Sequence, residues 1–339
     1  MTIYENAPLK KFNTFGLDYF ANKLIHIKTE EEAVSLFNGK TKWEKPLLIL
    51  GGGSNILFTS DFNGTILYPE MKGIKIEEKN NESVIVSAGA GLNWDEFVSW
   101  TVTRGFGGLE NLSLIPGNVG ATPIQNIGAY GIEVKDLIVR VRTINTIDAT
   151  TRIFSNSECE FGYRNSIFKN KEKGKYLVTR VYYRLNLSPV LNLSYGSLIE
   201  EVNKLGQESL ENVRQSVINI RRSKLPDPEL IGNAGSFFKN PVVSSSFADG
   251  LKNKFPEMPI YDDKDGYKKL AAGWLIDQCG WRGKRKGNAG VHDKQALVLI
   301  NNGKATGKEI YDLSCEIKKS VHEKFGVDLE REVEVIGTI

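Results

Sequence analysis

The sequence predicts an α+β chain of at least two domains. Its 339 residues exceed what a single hydrophobic core usually serves. From about Lys45 to Leu187 short strand-like apolar runs dominate, separated by Gly, Asn and Asp clusters. Beyond the PDP of 226–228, a helix-ending pair of prolines, the texture turns to mixed helix and strand, so a domain boundary is expected there.

In chain order, strands are expected at 46–50, 64–68, 83–89, 139–147 and 176–185. The clearest helix among them is 93–105, with Asn93 as N-cap and Gly105 as its stop. Two more follow at 197–205 and 210–225, the second placing Val213, Val217 and Ile220 at helical spacing. Past the boundary, 268–281 has helical periodicity, 295–302 is strand-like, and 306–326 forms a long amphipathic helix capped by Thr306 and stopped by Gly326. The final stretch, 327–337, alternates as a strand would: Val327, Leu329, Val333 and Val335 on one face, Glu330, Glu332 and Glu334 on the other. Taken alone, that row of carboxylates is a solvated edge.

Composition narrows the function. An apolar share of 40% with 25% charged residues is that of an ordinary globular enzyme, and a net charge of +3 gives no electrostatic footprint for nucleic acid. The densest basic run, 282–286, reads as a solvated loop, with phosphate contact as the lesser alternative. The N-terminus has no apolar signal region and no window reaches membrane-span length, which predicts a cytoplasmic protein with no membrane partner. Cys159, Cys279 and Cys315 are widely spaced with no CxxC, so neither a disulfide frame nor a metal site is expected.

Two glycine-rich segments point to a bound cofactor. The run GGGSN at 51–55 follows an apolar strand and offers consecutive bare N–H groups with Ser54 and Asn55, a nest suited to a phosphate or pyrophosphate. It lacks the Gly-Lys-Ser/Thr of a Walker A loop, and Ile56 stands where a Rossmann fingerprint needs glycine. The longer segment 107–131 is too glycine-dense for helix or strand, yet its apolar residues argue against a solvated loop. A large planar cofactor between two such loops would meet its diphosphate with backbone N–H groups and cover its ring with Pro, Ile and Ala faces. The run GNAGSFFKNP at 232–241 then sets Ser236 between small residues and two aromatic rings. Only His26, His292 and His322 could serve as a base and no GxSxG is present, so a nucleophilic serine is disfavoured; a proton donor stays open, and from GNAGS alone a turn hydroxyl satisfying backbone is the favoured reading.

In combination, GGGSN (51–55), IPGNVGATPIQNIGAYG (115–131), FGYRNS (161–166), KLPDP (224–228), GNAGSFFKNP (232–241) and LEREV (329–333) resemble the UDP-N-acetylenolpyruvoylglucosamine reductases, flavoenzymes that complete UDP-N-acetylmuramic acid for bacterial peptidoglycan. The likeness runs in order from Asn13 almost to the C-terminus and is closest to the long-form subgroup. It implies a two-lobed vanillyl-alcohol-oxidase-type FAD-binding domain over 1–226, with lobes of about 1–70 and 71–226, and a smaller α+β substrate-binding domain over 227–339 whose last strand returns toward the flavin. The expected reaction is NADPH-dependent reduction of the enolpyruvyl sugar nucleotide, with hydride going from flavin N5 to the vinyl carbon and a proton to the carbon beside the carboxylate. By resemblance Arg164 binds that carboxylate and stabilises developing charge, Ser236 donates the proton, and Glu332, with a raised pKa, hydrogen-bonds the carboxylate.

The resemblance further implies FAD contacts at Gly51, Gly52, Gly53, Ser54, Asn55, Pro116, Gly117, Gly120, Ala121, Thr122, Gln125, Asn126, Ile127 and Gly131. Ala121 and Thr122 stand where serines are common in the family, which leaves the Thr122 hydroxyl as the side-chain contact there. Substrate contacts are implied at Tyr195, Lys224, Asn240, Tyr261, Lys269, Arg282 and Gln295. With no second dinucleotide fingerprint, NADPH is expected to alternate with substrate in one cleft, giving ping-pong kinetics. No His or Cys lies in the first glycine loop, so the FAD is expected to be non-covalent; the chain is expected to be a monomer. A flavin oxidase using molecular oxygen, and a colourless nucleotide-binding scaffold, are the competing readings.

Overall fold

The computed structural model describes residues 1–338, the side chain of Lys40 aside. Two compact units emerge, and the second draws in segments from before residue 226. The first comprises Met1–Ala7, Ala21–Gly52 and Asn63–Ser223; the second takes Pro8–Phe20 and Gly53–Phe62 together with the chain from Lys224 onward. The physical reason is Phe15. Its fully buried ring packs into the same core as Phe237, Phe238, Leu299 and Leu313, and its carbonyl accepts Asn301 Nδ2 at 2.9 Å.

The first unit is built on a five-stranded antiparallel sheet in the order Thr151–Ser155, Ile138–Asn145, Tyr176–Asn186, Ser83–Gly89, Ile74–Lys79. Inward residues of its central strands, Val84, Val86, Val181 and Tyr183, bury against Trp94, Phe97 and Val98 of helix Trp94–Val102. Asn93 caps that helix as expected, its side chain accepting Glu96 N–H at 3.1 Å. A second sheet runs Thr2–Pro8, Phe20–Ile27, Phe62–Pro69, Leu47–Ile49, with the last pair parallel. Helices Leu198–Leu205 and Leu210–Lys224 close a smaller cluster through Leu198, Val202, Val213, Val217 and Ile220.

The second unit carries a four-stranded sheet, Gly232–Ser236, Val298–Asn301, Ala289–Val291, Arg285–Lys286. Helix Gly307–Phe325 packs on its core, closed by a Thr306–Glu309 capping box and a left-handed Gly326. Residues 268–270, expected as the start of a helix, are strand instead. Tyr267–Leu270 is paired on both sides, by Val242–Ser244 and Ile260–Asp262, and the helix begins only at Ala272. The alternating C-terminal stretch is also corrected: only Glu334–Ile336 is strand, pairing in parallel with Ile56–Phe58, while residue 331 makes a single bridge to Phe238. The alternation the sequence named holds only in part: Val327, Leu329 and Val333 are buried and Glu330 is exposed, while Glu332, Glu334 and Val335 are all half-buried.

Among the described residues no helix is long and apolar enough to cross a membrane, and no His, Cys, Asp and Glu cluster could hold a metal ion. Cys159 is buried, and burial pushes its thiol up to about 12.

One ion pair braces the glycine segment of the first unit. Asp95 accepts Arg214 Nη1 and Nη2 at 2.6 and 2.9 Å and Leu114 N–H at 2.5 Å, holding Leu114 in a left-handed conformation. Burial pushes the Asp95 carboxyl up, but the guanidinium and the N–H outweigh it and hold the group below the usual carboxylate range. A carboxyl so depressed stabilises the fold above the ordinary range, and that contribution disappears as pH falls through its folded value. Asp95→Asn is expected to lower the unfolding free energy by about 2 kcal/mol near neutrality, with the gap to wild type closing in acid. Urea unfolding at neutral and acid pH checks this; a gap independent of pH would mean that the charge of Asp95 contributes nothing.

Candidate active site

The two glycine-rich loops of the first unit touch backbone to backbone. A Cβ on Gly52 would lie 2.7 Å from Gly117 Cα, and one on Gly51 would lie 3.3 Å from Ala121 Cβ. Gly120 is pressed equally hard, its notional Cβ 2.6 Å from Ala90 Cβ. Only glycine at these positions permits the approach, and it leaves N–H groups bare for an anionic ligand. That is the environment a dinucleotide diphosphate requires, so the residues present fit FAD.

The polar side chains of the second loop, by contrast, are engaged within the protein. Asn126 is fully buried with φ +47°; its Nδ2 donates to Glu133 Oε2 at 3.0 Å and to the Gly162 carbonyl at 2.9 Å, while its Oδ1 accepts Lys135 N–H at 3.0 Å. Asn126 therefore ties the loop to the turn that carries Arg164, and what it can offer a ligand is backbone. The Thr122 hydroxyl donates to the Val119 carbonyl at 2.8 Å and lies 2.8 Å from Tyr183 Oη, so it too has internal partners. Ile127 is buried, and Gln125, Pro116 and Gly131 are half-buried or exposed along the same loop.

Arg164 sits at the tip of the GYRN turn with φ +51°, closed by reciprocal Gly162 and Asn165 backbone hydrogen bonds. Its guanidinium donates to the Gly128 carbonyl at 2.5 Å and the Asn126 carbonyl at 3.3 Å, and its centre lies 5.3 Å from the Tyr163 ring centroid. The side chain is thus aimed along the glycine loop before any ligand arrives. Tyr130 stands in the loop with φ +49°, and Arg221 of helix Leu210–Lys224 lies within its electrostatic reach.

In the second unit, Ser236 ends strand Gly232–Ser236 directly after Gly235, whose φ of +65° is fixed by the Asn233 side chain accepting its N–H at 2.9 Å. Phe237 and Phe238 follow, both buried. Glu332 N–H donates to the Phe237 carbonyl at 2.9 Å, and Lys239 N–H donates to the Glu330 carbonyl at 2.9 Å, so the LEREV stretch lies along the chain leaving Ser236. Asn55, last of the GGGSN run, clamps this stretch from the other side. Its Nδ2 donates to the Glu332 carbonyl at 3.1 Å and its carbonyl accepts Glu334 N–H at 3.0 Å. Gly53 is glycine because a Cβ there would lie 2.0 Å from the Phe12 carbonyl oxygen. The Ser236 hydroxyl is half-buried and, among the described residues, makes no hydrogen bond.

The substrate candidates are less uniform. Asn240 Oδ1 accepts Ala272 N–H at 3.0 Å, Gln295 Oε1 accepts Leu297 N–H at 3.3 Å, Lys269 pairs with Asp263 at 3.6 Å, and Arg282 pairs with Asp277 at 3.0 Å. Tyr261 is exposed on the edge strand Ile260–Asp262, and Lys224 is exposed at its helix end. Tyr195, of the first unit, is exposed with its ring edge-on to Tyr130 at 5.8 Å.

Comparison with known proteins agrees with this geometry. A family model described as an FAD binding domain matches residues 21–154, and one described as the C-terminal domain of UDP-N-acetylenolpyruvoylglucosamine reductase matches 227–336. The chain is 47% identical to the UDP-N-acetylenolpyruvoylglucosamine reductase of Flavobacterium johnsoniae over 99% of this chain and 100% of the relative. It is 46% identical to that of Bacteroides fragilis over 98% and 99%. A crystal structure of the enzyme of that name from Thermus caldophilus superposes with a TM-score of 0.68 at 24% identity, covering 99% of this chain and 98% of that one, a likeness of fold. The α+β class with an FAD-binding domain is thereby borne out.

Since the Gly52–Gly117 contact admits no side chain, Gly52→Ala is expected to push the two loops apart. The purified variant should carry at most about a tenth of the wild-type flavin absorbance at equal protein concentration. Undiminished flavin content would show that the loops do not hold the cofactor.

Proposed function

This chain belongs to the UDP-N-acetylenolpyruvoylglucosamine reductase family, and from that premise we propose that it reduces the enolpyruvyl ether of UDP-N-acetylglucosamine to UDP-N-acetylmuramate, with NADPH as donor. When bound, FAD supplies the hydride. The chain itself must hold the substrate's carboxylate, keep water from the reacting carbon and deliver a proton.

The observation that carries this reading is the Ser236 hydroxyl, which has no partner among the described residues, at the end of a strand whose next peptide carbonyl is bonded by Glu332 N–H. A hydroxyl committed to a carbonyl would have to break that bond to donate elsewhere; this one would not. Addition across the olefin leaves negative charge delocalised into the carboxylate, and the carbon beside it is then basic enough to take a proton from an alcohol. The Ser236 O–H bond breaks, the new C–H bond forms, and the serine oxygen regains a proton from solvent before the next cycle. Arg164 is assigned to the carboxylate, where a fixed, delocalised cation lowers the cost of that charge. Glu332 is assigned to the same carboxylate as a hydrogen-bond donor in its protonated form. Glu330, paired with Lys239 and exposed, is left out of the chemistry.

NADPH and the sugar nucleotide are assigned to one cleft in alternation, and the enzyme to the cytoplasm as a monomer. A flavin oxidase gives Ser236, Arg164 and Glu332 no joint task, so anaerobic reoxidation by the enolpyruvyl sugar nucleotide, against reoxidation by air alone, separates the two readings.

Ser236→Ala is expected to leave bleaching of the flavin absorbance by NADPH within about twofold of wild type. Recovery of that absorbance on adding the enolpyruvyl sugar nucleotide should slow by about 10²–10⁴-fold, the usual contribution of a positioned acid. Stopped-flow spectroscopy of the two half-reactions measures both rates; equal slowing of both would remove Ser236 from the proton-donor role.

A further inference from the structure

The last stretch of the chain alternates, and Arg331 falls on its apolar face. Leu329 and Val333, two residues away on either side, are buried in the core of the second unit, so the alternation turns the guanidinium toward that core. A charge so placed needs polar partners. It finds them on a single turn of helix Gly307–Phe325. Arg331 Nε donates to Ser314 Oγ at 2.8 Å, Nη2 donates to Cys315 Sγ at 2.9 Å, and the guanidinium carbon stands 4.4 Å from the Tyr311 ring centroid. Ser314 is itself buried and gives its own proton to the Tyr311 carbonyl at 2.5 Å, which leaves its oxygen oriented to accept. Arg142 and Arg214 fork onto Glu30 and Asp95, but among the described residues Arg331 makes no ion pair. Its contacts serve geometry more than charge.

The helix that receives them is a firm support. The Thr306–Glu309 box and Gly326 fix its ends, and Leu313 and Ile317 hold the same turn in the core. The residue after Arg331 is Glu332, which lies outside regular strand, between the lone Arg331–Phe238 bridge and strand Glu334–Ile336. Its neighbourhood is held by Glu332 N–H on the Phe237 carbonyl and Lys239 N–H on the Glu330 carbonyl, both at 2.9 Å, and by Asn55 Nδ2 on the Glu332 carbonyl at 3.1 Å. Bonds strung along the backbone fix where the peptide runs, but their broad angular tolerance resists a roll about the chain only weakly. The Lys239–Glu330 ion pair adds little, because Glu330 is exposed. Arg331 does resist the roll. At a bridge, consecutive side chains face opposite ways, so a movement that swung the Glu332 carboxyl group would have to pull Arg331 from three partners at once.

We propose that Arg331 is a positioning residue for the reaction: its grip on helix Gly307–Phe325 sets the direction in which Glu332 presents its carboxyl group. The inference rests on the role given to Glu332 above and is independent of the one given to Arg164. A group that must hydrogen-bond the substrate's carboxylate while the neighbouring carbon takes a proton has to sit within about 0.5 Å of its working place. The backbone bonds and the arginine together supply that precision.

Stopped-flow spectroscopy of the full-length flavoprotein tests it with Arg331→Met, Arg331→Lys, Glu332→Ala and the double variant Arg331→Met/Glu332→Ala. In Arg331→Met, bleaching of the flavin by NADPH is expected within about twofold of wild type, while reoxidation by the enolpyruvyl sugar nucleotide slows about tenfold to a hundredfold, the cost of misplacing a reacting group by up to about 1 Å. Arg331→Lys, which keeps one donor within reach of the helix, recovers part of that loss. In the Glu332→Ala background, Arg331→Met is expected to add less than about twofold, since nothing remains to be positioned. A purely structural arginine would slow reoxidation by the same factor in both backgrounds, and that result overturns the proposal. Should Arg331→Met fold poorly, Ser314→Ala removes only the Nε partner and is expected to slow reoxidation about threefold, again only where Glu332 is present; equal slowing without Glu332 overturns the proposal in the same way. If Glu332→Ala is slow and Arg331→Met is not, the proposal alone falls. If Glu332→Ala reoxidises at the wild-type rate, the role given to Glu332 falls and takes the proposal with it.

Discussion

No side chain can stand at position 52. The 2.7 Å between a notional Cβ there and Gly117 Cα sets how close the two loops of the cradle come, and with it which N–H groups remain bare. The loop that meets Gly52 is held in conformations that glycine-free sequence resists. Asn126 and Tyr130 both adopt positive φ, as does Arg164 on the adjoining turn, and each such residue costs about 1 kcal/mol or more. The hydrogen bonds of Asn126 to Glu133, Gly162 and Lys135 offset part of that strain, and those of Asn111 to the Tyr130 and Asn192 carbonyls hold the far end. Strain in the loop is thus balanced by side chains that are engaged within the protein, which leaves chiefly backbone groups open along it.

How much of this was legible depended on whether local pattern and tertiary pairing agreed. They agreed for helix Gly307–Phe325, where the Thr306–Glu309 box and Gly326 mark both ends, and for strands such as Ser83–Gly89, whose valines alternate into the core. They disagreed at 268–270. Helical periodicity continues backward from the helix into Lys268 and Leu270, yet two flanking strands each pair there over three residues, and that double ladder outweighs a propensity difference of about 0.5 kcal/mol per residue. The assignment of 8–20 and 53–62 to the second unit was illegible for a similar reason: only the folded core shows that Phe15 packs with Phe237.

The site was legible by motif and much less so by side-chain role. Ser236, Arg164 and Glu332 were singled out through a resemblance spanning six motifs, since a lone GNAGS or LEREV has a bland explanation. The hydroxyl and amide groups of the second glycine loop have partners within the protein that the sequence does not show. Thr122 and Asn126 look available in the sequence, but each is surrounded by backbone groups that would otherwise be orphaned.

The contrast between Ser236 and its fellow hydroxyls explains why a weak acid can be useful here. Ser113 donates to the Glu110 carbonyl at 2.6 Å, Ser166 to the Ile124 carbonyl at 2.6 Å and Ser314 to the Tyr311 carbonyl at 2.5 Å. Each of these would surrender about 1 kcal/mol of net hydrogen bonding to act on anything else. Ser236 has no such bond to lose among the described residues, and the geometry that isolates it is local: Gly235 turns the strand with a positive φ, and the buried Phe237 and Phe238 fix the chain beyond. Its acidity need not be raised far if the acceptor is a carbon bearing negative charge, because the driving force for transfer comes from the base. What the fold must supply is position. The Glu332 N–H on the Phe237 carbonyl and the Asn55 clamp on the Glu332 carbonyl supply it, so the serine and the carboxyl group are held by one continuous run of backbone hydrogen bonds rather than by each other.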